Sequence, residues 1–279
     1  MKLWCMPTHF YSPLPDLGRL DQPEERTRIW PEEPHSMPGI DWRADDQLRL
    51  CTEVFARQEP FAFPRESSAD TPEYAHDSRR YPPVDAFVLQ AFLRHLRPAR
   101  VVEVGAGYSS LVTARVNREY FGEQIHFAAI DPYPLEFLER GVPGLTELRA
   151  EQVQDTPFEV FEQLGENDVL FIDTSHVVKT GGDVPWIYNQ ILPRLRSGVV
   201  VHLHDTFLPW DYPEEWVFAG KGWNEQYLMQ AFLAMNPAFE VMLGTHWMMR
   251  RHWDLLCRAF PDIVDSDRRD SSSLWIRRV

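Results

Sequence analysis

The stretch Val101-Val102-Glu103-Val104-Gly105-Ala106-Gly107-Tyr108-Ser109-Ser110 decides the fold. Its valines predict a short buried strand, Arg100–Val104. Gly105 and Gly107 then allow a sharp turn and let a ligand approach the backbone before a helix begins. Such a turn also serves dinucleotide-binding dehydrogenases, but two details speak against a dinucleotide here. The third glycine of that fingerprint is replaced by Ser110. Glu103, two residues before the first glycine, would repel a diphosphate, yet it could accept hydrogen bonds, directly or through water, from an ammonium group.

Working outward, further strands are expected at Ile125–Ile130, Leu145–Ala150, Asp168–Ile172 and Gly198–Leu203. Helical spacing separates them, as in Val184, Ile187, Ile191 and Leu195. Upstream, Leu89, Phe92, Leu93 and Leu96 keep helical spacing until Pro98. Short apolar strands alternating with amphipathic helices specify an α/β fold with a parallel sheet covered on both faces. Beyond Pro213 a helix carrying Trp223, Tyr227, Leu228, Phe232 and Met235 is expected to lead into a strand at Phe239–Leu243. Ser273–Arg278 is the last strand.

Residues 1–80 read differently. They hold Pro7, Pro13, Pro15, Pro23, Pro31, Pro34 and Pro38, with little periodicity. One helix is expected from Asp41, as N-cap, to about Gln58. The persistent aromatics (Trp4, Phe10, Tyr11, Trp30, Trp42) argue against disorder. They favour an irregular arm packed on, or capping, a second domain at 81–279.

The 279 residues carry a net charge of −14 and are 44% hydrophobic. So acidic a chain repels phosphate backbones and anionic membranes, which argues against nucleic acid or a membrane as partner. Cys5, Cys51 and Cys257 have no metal-ligand spacing and read as thiols of a reducing compartment. The apolar patch before Pro7 is too short for a signal peptide, so cytoplasm is the expected location. Homo-oligomerisation is left open.

In a doubly wound sheet the strand tips face one crevice. Asp131 ends the second strand, where a carboxylate can accept both hydroxyls of a ribose. Asp173, His176, His204 and Asp205 lie at two further tips and should converge as a metal site or around a general base. His202 alternates with Leu203 on a buried strand and reads as a core histidine.

These motifs resemble those of class I S-adenosylmethionine-dependent methyltransferases, and more narrowly the small-molecule enzymes akin to the metal-dependent catechol, caffeoyl-CoA and macrolide-sugar O-methyltransferases. The resemblance covers about Tyr81 to Val279, and His9-Phe10-Tyr11-Ser12-Pro13 looks like a feature of closer relatives. It implies a Rossmann-like doubly wound sheet of seven strands, the last, Ser273–Arg278, antiparallel beside the fifth. It also implies that Glu103, Gly105, Gly107 and Ser109, at the glycine turn, cradle the methionine end of the donor. Asp131 would take the ribose, Gln152, Val153 and Gln154 would lie near the adenine, and Asp173 would border the donor. In the metal-dependent relatives Mg²⁺ is held by residues at the positions of Asp173, His204 and Asp205, and a base stands at that of His176. His204 departs from the usual oxygen ligand, and an Asp–His–Asp set suits Mn²⁺, Fe²⁺ or Zn²⁺ better than Mg²⁺.

The expected activity is therefore methyl transfer to a small-molecule hydroxyl. A divalent ion, Mg²⁺, Mn²⁺ or Fe²⁺, would lower the acceptor's pKa, with Asp173 and neutral His176 as catalytic residues. The arm and the Phe207–Trp223 loop, with Trp210, Tyr212 and Trp216, would exclude water. Two alternatives are a nicotinamide-dependent oxidoreductase and a non-catalytic binding protein on the same fold.

Overall fold

The computed structural model describes residues 4, 6, 9–67, 72–78, 80–268 and 271–279. Cys5 and Pro7 lie outside the described residues. Seven strands form one sheet: β1 Arg100–Val104, β2 His126–Ile130, β3 Glu147–Arg149, β4 Val169–Ile172, β5 Val200–His204, β6 Phe239–Gly244 and β7 Ser273–Arg278. Their order is β3-β2-β1-β4-β5-β7-β6. The first five strands are parallel, and β7 runs antiparallel to both β5 and β6. This is the doubly wound, Rossmann-like sheet with an inserted antiparallel strand, as expected. Observed strands differ from the expected ones by a residue or two at their ends.

Alternation along the strands sorts side chains onto two apolar layers. Val101, Phe127, Val169, Phe171, Val200 and Trp275 face the helices Pro83–Leu96 and Tyr108–Phe121. Val102, Val104, Ile130, Leu170, Ile172, Val201 and Leu203 face the other side, against Val184, Ile187, Tyr188 and Met229. Apolar burial on both faces is what holds a parallel sheet. A stack between Phe92 and Trp275, ring centroids 3.9 Å apart, ties the first helix to β7. Asp168 starts two strands at once: its carboxylate accepts from the backbone of Ala99 (2.9 Å) and Arg100 (2.8 Å) as well as Gly165 (2.9 Å).

The local structure of the arm differs from the sequence reading. The helix expected from Asp41 starts at Ala44. Its N-cap position is held by Arg43 at a left-handed φ of 51°, and Asp41 instead accepts from the Arg43 N–H at 3.0 Å. It changes pitch to a π turn at Leu50–Val54 and a 3₁₀ turn at Phe55–Arg57. Phe55 meets Phe92 edge to face at 5.1 Å, inside the main core. Two further short helices, Leu17–Leu20 and Pro23–Ile29, occupy the segment expected to be irregular. Pro23 suits the first helical turn, where its missing N–H costs nothing. The helix expected around Trp223 spans only Glu225–Leu233, leaving Trp223 and Met235 outside. Helices Thr245–Arg251 and Trp253–Ala259 join β6 to β7. No helix among the described residues is long and apolar enough to cross a membrane.

Candidate active site

The tips of β1, β2 and β4 form one end of the crevice. Gly105 lies at φ +86°, and a Cβ there would stand 1.6 Å from the carbonyl oxygen of Asp173. Only glycine lets these tips close this tightly. The Asp131 carboxylate accepts from the backbone N–H of Ala106 (3.0 Å) and of Tyr133 (2.7 Å), so it fixes the turn as well as facing the crevice. Ser110, at the position of the missing third glycine, accepts from the Gly107 N–H at 3.1 Å.

Two cavities run along these tips. One, of about 400 Å³, is lined by Gly105, Asp131, Gln152, Val153, Gln154 and Asp173. The other, of about 240 Å³, is lined by Tyr81, Gly105, Gly107, Ser109, Asp131 and Asp173. Gly105, Asp131, Tyr133 and Asp173 line both, so the two are contiguous parts of one elongated crevice. Of the residues expected to touch a donor, Glu103 alone lines neither. It is buried behind the turn, where Ser109 donates to its Oε1 and its Oε2 has no hydrogen-bond partner.

At the far end the tips of β4 and β5 bring together carboxylates and imidazoles. His176 Nε2 lies 3.1 Å from Asp173 Oδ1 and 3.3 Å from Asp205 Oδ2, while its Nδ1 lies 2.9 Å from Glu225 Oε2. His204 Nδ1 stands 3.6 Å from both Asp173 Oδ1 and Asp205 Oδ1, and its Nε2 is 3.8 Å from Asp85 Oδ2. Two imidazoles thus flank one pair of aspartates, each backed by a further carboxylate. Both His176 and Asp205 adopt left-handed backbone angles, φ 56° and 52°. That conformation costs on the order of 1 kcal/mol each and persists where the surroundings hold it.

A family model described as a methyltransferase domain matches residues 102–206, which span the tips of β1 to β5. An uncharacterized protein of Archaeoglobus fulgidus is 34% identical over 170 residues, covering 58% of this chain and 74% of that protein. The chain belongs to the class I methyltransferases. Among solved structures it is similar to the O-methyltransferase TomG from Streptomyces achromogenes, at 15% identity and a TM-score of 0.43, covering 86% of this chain and 91% of that one. It is also similar to an O-methyltransferase from Bacillus cereus, at 15% identity and a TM-score of 0.39, with 84% and 96% covered. Likeness at that level says nothing of this chain's substrate.

The candidate site is strongly polarised. Burial opposes a charged His176, but its hydrogen bonds to Asp173 and Glu225 and the charge of Asp205 outweigh it, pushing the imidazole up to about 10. Burial likewise opposes ionisation of Asp173, yet His204 and His176 hold its carboxyl well below the usual range. His204 is raised well above its ordinary value, burial being overcome by Asp173 and Asp205. Burial drives His202 far down, helped by the charge of His204. Stacked on Phe171 at 4.0 Å, His202 is the core histidine expected. Burial raises Glu103 to about 8 against the pull of Ser109 and Ser110.

Beside the expected Asp173, His204 and Asp205, the geometry offers another candidate group for a metal. Among the described residues, the group whose ligand atoms lie within 4.8 Å of one another is Asp173, His176 and Asp205. His204 sits on the other flank of the aspartates, with no hydrogen-bond partner on either ring nitrogen. Glu225 and Asp85 escaped the sequence reading. Asp85 had a signal, an acid in the apolar run Val84–Leu89 of a helix buried on nearly every side. It accepts from Ser272 N (3.0 Å) and Ser273 Oγ (2.9 Å). Glu225 had none, since an acid in the first turn of a helix is commonplace.

The loop after β5 is clasped by the arm. Trp30 Nε1 donates to Tyr212 O at 2.8 Å, Trp210 Nε1 to Glu32 O at 3.3 Å, and His35 N to Pro209 O at 3.0 Å. Trp216 and Trp223 meet at 88°, and the Lys221 ammonium lies 3.3 Å and 4.3 Å from their ring centres. Trp223 is 4.5 Å from the His176 ring.

Proposed function

We propose that this methyltransferase moves the methyl group of S-adenosylmethionine to a hydroxyl of a small-molecule acceptor. The observation that carries this reading is the pair of adjoining cavities, one beside Gln152–Gln154 and one beside Gly107, that share Gly105, Asp131 and Asp173, with Asp173 bonded to His176. Their linings suit an adenine beside Gln152–Gln154, a ribose at Asp131 and a methionine at the glycine turn, with the reacting atoms near Asp173. Glu103, buried behind the turn with its Oε2 unpartnered, would ionise to become the counter-charge as the donor's ammonium arrives. Asp131 faces the crevice where the ribose hydroxyls would lie.

Asp173, His176 and Asp205 fit a divalent ion, since two carboxylate oxygens and one imidazole nitrogen converge. When bound, the ion would lower the pKa of the acceptor hydroxyl and orient it. The chain's own part is positioning, because the sulfonium methyl, the acceptor oxygen and the leaving thioether must be in line. Trp223 beside His176, with Trp216 packed against Trp223, would exclude water from that end. Nε2 is the working atom of His176, because Nδ1 is committed to Glu225.

Binding of S-adenosylhomocysteine should raise the melting temperature through mass action. Asp131→Ala should weaken that binding by ~10–100-fold, the worth of charge-assisted hydrogen bonds at one carboxylate. Methyl transfer should then be found among hydroxylated metabolites screened for release of S-adenosylhomocysteine. Tight NAD binding with no response to S-adenosylhomocysteine would overturn the donor assignment. Donor binding without transfer to any hydroxyl, amine or thiol would leave a non-catalytic binding protein.

A further inference from the structure

We infer that Glu225 is a positioning residue that makes His176 a metal ligand rather than the proton acceptor. This rests on the proposed site but not on turnover. A histidine that ligates a metal through one nitrogen normally gives its other N–H to a carboxylate, which fixes the tautomer and the ring's direction. His176 has that arrangement. Nδ1 is 2.9 Å from Glu225 Oε2, and Nε2 points at the Asp173 and Asp205 oxygens, 3.1 Å and 3.3 Å away. With metal–ligand bonds of about 2.1 Å, neighbouring ligand atoms stand roughly 3.0–3.4 Å apart in octahedral or tetrahedral geometry. Both nitrogen–oxygen distances are already at that spacing, and all three ligand atoms lie within 4.8 Å of one another.

Glu225 and His176 are both buried to within a few per cent. The backbone holds them together independently, for the N–H groups of Asn224 and Glu225 both donate to the His176 carbonyl, at 3.0 Å and 3.2 Å. A second feature points the same way. His204, 4% exposed, lies against the same two aspartates with neither ring nitrogen hydrogen-bonded. His204 pairs with these aspartates through charge, 3.6 Å from each, and so helps hold them beside His176. A nitrogen-bearing set favours Mn²⁺, Fe²⁺ or Zn²⁺ over Mg²⁺.

The test uses the full chain stripped of metal and titrated with Mn²⁺ or Mg²⁺ alone, followed by calorimetry and by pulsed electron paramagnetic resonance. Mn²⁺ should bind at least ~10-fold tighter than Mg²⁺. Glu225→Gln should weaken Mn²⁺ binding by ~10–100-fold, with S-adenosylhomocysteine affinity unchanged as the check on folding. Glu225→Asp, which keeps the charge, should recover part of the loss. The bound Mn²⁺ should show a ¹⁴N coupling that survives in His204→Asn and vanishes in His176→Asn. Wild-type Mn²⁺ affinity in Glu225→Gln, or a ¹⁴N coupling that survives in His176→Asn, would overturn the inference. A chain that binds Mn²⁺ as described yet transfers no methyl group would overturn the proposed function and leave this inference standing.

Discussion

The two ends of the crevice are built by different means. The donor end is backbone: a glycine turn, a strand tip and a carboxylate that holds two amide N–H groups. The reacting end is side chain: Glu225, His176, the Asp173–Asp205 pair, His204 and Asp85 in a row, most of them buried. On the proposed function, the first end would recognise a methyl donor common to the whole family. The second concentrates charge where little water reaches, so each group there depends on the others. Damage to the first end should therefore be felt in binding, and damage to the second in chemistry.

The sharpest separation is expected at His176. As a ligand of the proposed metal, His176 supports the several kcal/mol that a bound ion supplies, so His176→Ala should lower kcat by ~10²–10⁴-fold, with donor affinity within about two-fold of wild type. Near-normal turnover would leave the two ends different only in burial. Gly105→Ala should act the other way. A Cβ 1.6 Å from the Asp173 carbonyl, at φ +86°, must push the β1 and β4 tips apart. Donor affinity should fall by ~10²-fold, about 3 kcal/mol, and calorimetry with S-adenosylhomocysteine would show it. Unchanged affinity would mean that the turn is not the donor's cradle.

The third expectation concerns pH. Burial raises Glu103 from 4.5 to about 8 in the folded chain. The folded state then holds a proton that the unfolded state gives up, so this contribution is complete below pH 4.5 and is lost as pH rises through 8. Melting of the donor-free chain should decline across that window, and Glu103→Gln should flatten the decline. A steeper decline in the variant would remove Glu103 from the account. The smallest effect belongs to the loop. Lys221→Met removes a cation over two indoles, worth about 0.5–1 kcal/mol, and should lower Tm by ~1–4 °C with donor affinity intact. A larger change in KM for the acceptor than in Tm would place Trp216 and Trp223 at the acceptor itself.

The strand, glycine turn and helix at the first end were legible because their information is local. Val101 to Ser110 specifies strand, turn and helix from neighbouring residues, and Asp131 follows one strand–helix–strand unit later. The sheet was legible for the same reason. At the reacting end the sequence shows Asp173, His176, His204 and Asp205 at strand tips, but not which imidazole turns toward which carboxylate. That is set by Glu225, 49 residues from His176, and by Asp85 with its partners on β7. The arm's short helices were hidden by proline content, since proline at a first helical turn and proline in an irregular chain look alike.

The bonds from Ser272 and Ser273 to Asp85 also carry a kinetic consequence. They close loops of 187 and 188 residues, whereas the bond from Ala106 to Asp131 closes one of 25. The longer closure costs roughly 2 kcal/mol more chain entropy, which must be met before any contact there repays it. The nucleotide-facing half should thus fold early and the charged row last. In refolding followed by pulsed hydrogen exchange, amides of β1, β2 and β4 should gain protection before that of Ser272, giving a transient species able to hold a donor before it can use one.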